Sequence, residues 1–527
     1  MRTSSSRVLA AIVALGVCLG LTACVPGLID PFAGGNGSST DPSDADDTTD
    51  PGDPTYAAEA PVVLDPGPSS TAIDWRPCDH HARFDCAEVL LPLDHAEPGG
   101  DQVRIALRRL PAGGPEEERL GTLWINPGGP GESGIDLVTM VGSFFGDDLL
   151  ERYDVVGFDP RGVGASTHVV CLLDGEDDPS WVDLDLDTPK GLARVESGFT
   201  ALGELCRERS GALLDHVSTA DTVADLEALR ALTGEQLNYL GYSYGTLIGA
   251  VYADTYPERV GRMVLDGAID PSVGYTDLQA QQTWTFQRAF ARFVTTCRED
   301  ADCPLDADPR AAETQVLDWI DELDVSPVPS DAEDGELTGQ ELVAALASAL
   351  YAPWDWDVVV EDLADAVADS DPDGSALDEL QGEWYGGALN YPFWFSAIDC
   401  VDYPVGTFDE AVTHARELAA GSPVFGAGSI AEIQCATWPA KARDERVPVS
   451  GTGAAPILVV GTLFDPATPY AWAVSLSRQL ESATLLTYEG DGHAVYGGVS
   501  WCVDGFVEDY LIDGAVPPPG MSCPSAF

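Results

Sequence analysis

The stretch Leu237-Asn238-Tyr239-Leu240-Gly241-Tyr242-Ser243-Tyr244-Gly245-Thr246 decides how this chain is read. Its first half is a short apolar run of the kind that is buried on both faces of a parallel sheet. Its second half opens a helical pattern that continues to Thr255. Between them, Gly241 and Gly245 stand two residues to either side of Ser243. A strand that turns this sharply into a helix leaves no room for side chains at the glycines, and it exposes the serine hydroxyl at the strand's C-terminal end. The helix that follows points the positive end of its dipole at negative charge developing beside that hydroxyl. Gly-x-Ser-x-Gly alone arises by chance in many chains. Set between a strand and a helix, it predicts a nucleophile elbow.

Similar β-rich runs lie on both sides of the elbow, at Val103–Leu110, Thr122–Asn126, Asp154–Phe158, Arg262–Leu265, Ile457–Gly461 and Thr484–Tyr488. Most are continuous rather than alternating, and helical patterns such as Thr219–Leu232 and Thr246–Thr255 fall between them. That alternation predicts an α/β architecture with a mostly parallel central sheet and right-handed crossovers. From about residue 271 to 450 strand signals fade. Helical stretches such as Leu278–Cys297 and Leu337–Leu350 take over, with a Trp/Tyr-rich piece at Trp384–Phe395. The expected division is a first part of the α/β core at 71–270, a largely helical cap at 271–450 and the last part of the core at 451–527.

A serine hydroxyl needs a base, and the base needs a carboxylate to orient it. Of the seven histidines, those at 80, 81, 95, 168 and 216 precede the elbow and His414 lies in the cap, so His493 alone follows the last expected strand. The strand that ends at Gly461 runs into Thr462-Leu463-Phe464-Asp465-Pro466, which puts Asp465 on a loop after a strand. Asp491 is a rival acid, but at two residues from His493 it is poorly placed to face the far ring nitrogen. The order Ser243, Asp465, His493 is that of the α/β-hydrolases and differs from the trypsin-like and subtilisin-like orders. The glycine-rich Asn126-Pro127-Gly128-Gly129-Pro130-Gly131 follows an early strand, where backbone N–H groups can approach a substrate oxygen. The N–H of Tyr244 would be the second such donor.

The set Asn126-Pro-Gly-Gly-Pro-Gly-Glu-Ser-Gly134, Gly157-Phe-Asp-Pro-Arg-Gly-Val-Gly164, Gly241-Tyr-Ser-Tyr-Gly245, Leu265-Asp-Gly-Ala-Ile-Asp-Pro271, Asp465-Pro-Ala-Thr-Pro469 and Gly492-His493 resembles the secreted tripeptidyl aminopeptidases of high-GC bacteria. These are α/β-hydrolases related to prolyl aminopeptidases, and the resemblance runs from about residue 75 to the C-terminus. It implies an α/β-hydrolase fold and release of short peptides, often tripeptides, from free N-termini. It also implies that Ser243, Asp465 and His493 form the triad, with Gly129 and Tyr244 as the oxyanion hole. Prolyl aminopeptidases usually carry His-Gly-Gly-Pro-Gly, whereas Asn126-Pro127 precedes the glycines here, which favours the tripeptidyl branch. An exopeptidase must also hold a substrate ammonium, and Glu383, Asp399 and Asp402 are carboxylates set among aromatics in the cap.

Residues 1–23 read as a secretory signal, with Arg2 and Arg7 ahead of an uncharged apolar stretch. Leu21-Thr22-Ala23-Cys24 resembles the lipobox of bacterial lipoproteins, so Cys24 is expected to carry lipid and anchor an exported protein to the outer face of the cell membrane. Residues 24–70, rich in Gly, Ser, Thr, Pro and Asp, are expected to form a disordered acidic tether. Ten cysteines remain, at 78, 86, 171, 206, 297, 303, 400, 435, 502 and 523. An even number in an exported chain favours disulfides, and pairing of sequence neighbours is the simplest arrangement. With 88 acidic and 26 basic side chains and a net charge of −62, the surface repels nucleic acid. No phosphate-binding loop or metal-ligand spacing stands in the sequence, so no cofactor or metal is expected, and the expected partner is a peptide substrate. Two other functions use the same features: a carboxylesterase or lipase with the same triad, and a non-catalytic binding protein on a hydrolase scaffold.

Overall fold

The computed structural model describes residues 60–78, 83–180, 185–299, 303–330, 335–368, 372–382, 390–426, 430–443 and 445–526. The signal sequence, Cys24 and Glu383 lie outside these residues.

The elbow strand Leu237–Tyr242 is central in a large mixed sheet. On one side of it stand Val260–Asp266, Ile457–Phe464, Ala483–Asp491 and the short Ser522–Pro524. On the other stand Gly121–Asn126, Tyr153–Phe158, Asp101–Leu110, Asp85–Pro92 and the short Arg76–Pro77. All neighbours from Ser522–Pro524 to Tyr153–Phe158 run parallel, and the pairs beyond are antiparallel. Every residue of Gly121–Asn126 and Tyr153–Phe158 is buried, as continuous apolar runs in a parallel sheet require. This strand order, with an antiparallel edge and helices on both faces, is the α/β-hydrolase fold.

Helices form where the sequence marks their ends. Ser218 caps Thr219–Thr233 in a reciprocal capping box with Asp221, and Gly234 ends it in the left-handed conformation. Helix Tyr244–Thr255 starts directly at the elbow and is almost wholly buried against its own strand.

Between Val260–Asp266 and Ile457–Phe464 the chain forms helices Tyr275–Cys297, Pro309–Leu323, Gly339–Ala349, Trp356–Ala366, Tyr391–Asp402, Phe408–Gly421 and Ala431–Thr437, among others. A two-stranded ribbon, Val328–Pro329 with Glu336–Leu337, accompanies them. This insertion has two parts. Phe286, Phe290, Phe293, Leu346, Trp356 and Phe425 belong to a core of their own. Phe393, Trp394, Ile398, Tyr403 and Trp438 instead join the main core beneath the sheet.

The expected tether is too long at its C-terminal end. Asp65–Pro66 pairs with Asp101–Gln102, Val62 N–H donates to Arg209 O (2.8 Å) and Ser70 N–H to Leu90 O (2.9 Å). Val62, Leu64 and Ile73 pack against the main core, so apolar side chains scattered in a polar stretch tie residues 62–70 down.

Among the described residues, five disulfides join Cys78–Cys86, Cys171–Cys206, Cys297–Cys303, Cys400–Cys435 and Cys502–Cys523. Cys171–Cys206 spans 35 residues and both of its cysteines are buried. Loop-closure entropy puts its contribution at about 3–4 kcal/mol. A Cys171→Ala/Cys206→Ala double variant is therefore expected to lose about that much in urea unfolding, and a loss under ~1 kcal/mol contradicts it.

Candidate active site

Ser243 occupies the turn between its strand and its helix at φ 50°, ψ −122°. Such a backbone costs of order 1–3 kcal/mol and persists only when its surroundings impose it. Here they do. A Cβ at Gly241 would collide with the Gly245 carbonyl, and one at Gly245 would come 2.8 Å from Asn126 O and Oδ1. Ser243 N–H donates to Asp266 O (2.9 Å), while Ser243 O accepts from Thr246 N–H (2.9 Å) and the Thr246 hydroxyl (2.6 Å).

The glycine-rich turn after Gly121–Asn126 comes up against the elbow. Gly128 (φ 114°) leaves so little space that a Cβ there would sit 2.9 Å from Ser243 Cβ and 3.0 Å from Tyr244 N. Gly129 follows at φ 98°. Asn126 Oδ1 accepts from Gly128 N–H (3.1 Å), which pins the start of the turn. The backbone N–H groups of Gly129 and Tyr244 find no acceptor among the described residues.

Asp465 and His493, 28 residues apart, meet in the interior with both side chains fully buried. His493 Nδ1 lies 2.9 Å from Asp465 Oδ1 and 3.0 Å from Oδ2. A carboxylate only accepts, so Nδ1 carries a proton, and in the neutral ring that tautomer leaves the lone pair on Nε2. Asp465 is itself held: Oδ1 accepts from the N–H groups of Ala467 (2.9 Å) and Thr468 (2.7 Å), and Oδ2 from the Thr468 hydroxyl (2.9 Å). The rival acid Asp491 is taken by Arg292, whose Nη2 donates to Oδ2 at 2.7 Å and whose Nε pairs with Oδ1.

The helical insertion also reaches His493 through Tyr351. Its N–H donates to Tyr351 O (3.1 Å), and its ring meets the Tyr351 ring edge-on, with centroids 4.9 Å apart. Gly492 (φ 98°) lets the chain pass, since a Cβ there would come 2.9 Å from Tyr351 O and 2.8 Å from Pro353 Cδ.

Asp266, at the end of the strand between those leading to Ser243 and Asp465, links these parts. Its backbone oxygen holds Ser243, as above, and its Oδ2 accepts from Val495 N–H (2.9 Å) and Tyr496 N–H (2.7 Å) just past His493. A Cβ at the next residue, Gly267, would lie 3.2 Å from His493 Cε1. The Ser243 strand and the His493 loop are therefore held by one strand end. Ser243 and Ala494 are the non-glycine residues with positive φ among those described, so the strained backbone lies at this strand end. His493 Nε2, buried, has no hydrogen-bond partner among the described residues, Ser243 Oγ included. Catalytic contacts of this kind commonly tighten only when substrate is bound.

Of the candidate ammonium acids, Asp399 is fully buried and accepts from Tyr275 OH (2.9 Å). Asp402 accepts from Thr219 N–H (2.8 Å) and from the Thr219 hydroxyl, which also meets Tyr244 OH at 2.7 Å.

Burial pushes several of these carboxyls upward: Asp159 to about 7, Asp266 to about 6, Asp399 to about 8 and Asp504 to about 6. A folded-state pKa above the unfolded value near 4 means that the folded protein binds the proton more tightly. Stability is then fully present below the unfolded pKa and declines as pH rises to the folded pKa. His168 and His216, lowered chiefly by burial, act in the opposite sense only below about pH 6.5. Between pH 6.5 and 8.5 Asp159 and Asp399 dominate, at about 1.4 kcal/mol for each pH unit that one group spans. The melting temperature is expected to fall across that interval in thermal scans, and a flat or rising profile contradicts the assignment.

Comparison with known proteins agrees with this geometry. The family model described as "TAP-like protein" matches residues 422–523. The chain is 34% identical over 476 residues to serine protease Hip1 of Mycobacterium tuberculosis, covering 86% of this chain and 91% of that one. It is 36% identical over 453 residues to carboxylesterase B of the same organism, covering 83% and 86%. It is 32% identical over 477 residues to the tripeptidyl aminopeptidase of Streptomyces coelicolor, covering 86% of each. A strained serine elbow, a buried Asp–His pair at the same sheet edge and this kinship over most of the chain have one meaning: the protein is a serine hydrolase of the α/β-hydrolase fold and belongs to the tripeptidyl aminopeptidase-like family.

Proposed function

We propose that the protein is an exported serine exopeptidase that releases short peptides, tripeptides foremost, from free N-termini. The observation that carries the reading is the fully buried Asp465–His493 pair, with Nε2 unpartnered, at the strand end that also holds the Ser243 backbone. In the reaction, His493 Nε2 takes the Ser243 proton as Oγ attacks the scissile carbonyl carbon. The oxyanion that forms accepts from the N–H groups of Gly129 and Tyr244. As the tetrahedral intermediate collapses, the C–N bond breaks, His493 returns the proton to the leaving amine and an acyl-enzyme remains. Water, deprotonated by the same ring, then attacks the ester carbon; the C–Oγ bond breaks, His493 passes that proton to Ser243 Oγ, and the peptide leaves as its carboxylate. Asp465 holds the tautomer and stabilises the imidazolium throughout.

Export accords with the five disulfides, since such bonds persist outside the reducing cytosol. Lipidation at Cys24 would make the membrane a partner through an anchor alone. In the proposed layout the 271–450 insertion caps the core and restricts access to chain ends. A carboxylesterase reading has one observation in its favour, the relative named carboxylesterase B. Mass spectrometry of products from a mixed peptide library, free or acetylated at the amino end, tests the proposal. Tripeptides released from the free pool alone support it, whereas turnover of short acyl esters without peptide cleavage favours the esterase.

A further inference from the structure

Helix Tyr275–Cys297 runs along the triad side of the cap, and one of its faces carries polar groups that a packed interior does not explain. Gln279, Gln282 and Thr283 are each more than nine-tenths buried. Yet Gln279 Oε1, Gln282 Oε1 and Thr283 Oγ have no hydrogen-bond partner among the described residues. Leaving one such buried acceptor unsatisfied costs about 1–3 kcal/mol, so three on adjoining turns of one helix call for an explanation.

Their neighbours place them. Gln282 Nε2 donates to Ala467 O (2.9 Å) and the Thr285 hydroxyl to Pro466 O (2.6 Å), so this part of the helix lies on the loop that carries Asp465. Phe286, one turn past Gln282, packs on Tyr351, which in turn meets His493. At the other end Tyr275 donates to Asp399. The unpartnered acceptors thus fall between the His493 neighbourhood and a buried carboxyl.

Two of these unmet groups are amide oxygens that only accept and the third is a hydroxyl that can accept, and the Asp399 carboxyl closes the row as its fourth member. The complement of such a surface is a group rich in N–H donors. A protonated amine brings three, and the peptide N–H groups behind it bring one each. Seven residues of helix from Tyr275 to Gln282 rise about 10 Å, which is also about the span of three extended residues.

Resting on the exopeptidase reading above, we infer that the acceptor row Gln279–Gln282–Thr283, ending at Asp399, is the subsite that takes the substrate's free α-ammonium and leading peptide N–H groups. Its length measures three residues from the scissile carbonyl. Burial holds Asp399 protonated up to about pH 8 in the empty enzyme. An arriving ammonium favours its ionised form and converts it into a counter-ion.

The test compares kcat/KM for di-, tri- and tetrapeptide anilides, each with a free or an acetylated amino end, in the native enzyme and in Gln279→Leu, Thr283→Val and Asp399→Asn. Gln279→Leu and Asp399→Asn are expected to lower the free-over-acetylated preference at least about tenfold, mainly by raising KM for the free tripeptide, and to flatten the length preference. Thr283→Val is expected to do the same to a lesser degree. Labelling by a fluorophosphonate, which requires a folded site with Ser243 but no amine, and thermal melting identify any variant that has failed to fold. Folded variants that keep the native ratio overturn this inference alone. A native enzyme that cleaves free and acetylated peptides equally overturns the exopeptidase reading itself.

Discussion

Ser243→Ala is expected to lower kcat on a tripeptide anilide by about 10⁶-fold, the loss found when an acyl-transfer triad is deprived of its nucleophile. No other hydroxyl stands in for it, because the turn at φ 50° aims this one residue and the neighbouring glycines exclude any shift of the backbone. The variant should fold, since Ser243 contributes backbone rather than side-chain hydrogen bonds to the turn. Its residual activity should resemble what an oxyanion hole and binding alone supply. Fluorophosphonate labelling followed by mass spectrometry makes the check direct: the native enzyme gains the adduct on the peptide containing Ser243 and the variant gains none. Labelling that survives the substitution would show that the elbow is not the nucleophilic site.

Asp465→Asn comes next, with an expected loss of about 10⁴-fold in kcat. The carboxylate accepts from His493 Nδ1 while its two oxygens also collect Ala467 N–H, Thr468 N–H and the Thr468 hydroxyl. An amide keeps the shape and one acceptor oxygen. Its NH₂ group then either faces the ring, which forces the proton onto Nε2 and removes the general base, or clashes with the Thr468 donors. Both outcomes disable proton transfer without emptying the site. The pH dependence separates this from simple misfolding, since activity should recover partly at high pH, where hydroxide can deprotonate the serine without the ring. Asp491→Asn provides the contrast. It breaks the pairing with Arg292 at the site's edge and leaves His493 with its partner, so kcat should change by less than about tenfold.

Much of this was open to reading from the chain alone. The seven expected strands all fall within observed ones, and Ser243, Asp465 and His493 each follow the end of a strand. Long apolar runs identify buried parallel strands without knowledge of their neighbours. Asp85–Pro92 escaped because its burial alternates, with Glu88 and Leu90 exposed, and because a Cys and a Pro blur its pattern. The start of the folded part escaped too. Val62 and Leu64 look like isolated apolar residues in an acidic stretch until Asp101–Gln102 and Arg209 supply partners for the backbone around them.

Neighbours within a few residues fix what the chain made legible: a strand that must turn at Gly241–Gly245, a glycine-rich turn after an early strand, and helical patterns between the strands. Short-range sterics and periodicity settle these whatever the rest of the chain does. Only the packed chain shows that Asp266 ties the Ser243 backbone to Val495 and Tyr496, 229 and 230 residues further on. Packing likewise set Tyr351 of the helical insertion against the imidazole. The same holds for Gln279, Gln282 and Thr283, which a helical pattern marks only as polar residues; packing left each with a buried side-chain oxygen that has no partner among the described residues. The physical reason is that desolvation and hydrogen-bond pairing depend on what the fold brings within about 3–4 Å, and no local window of sequence contains that.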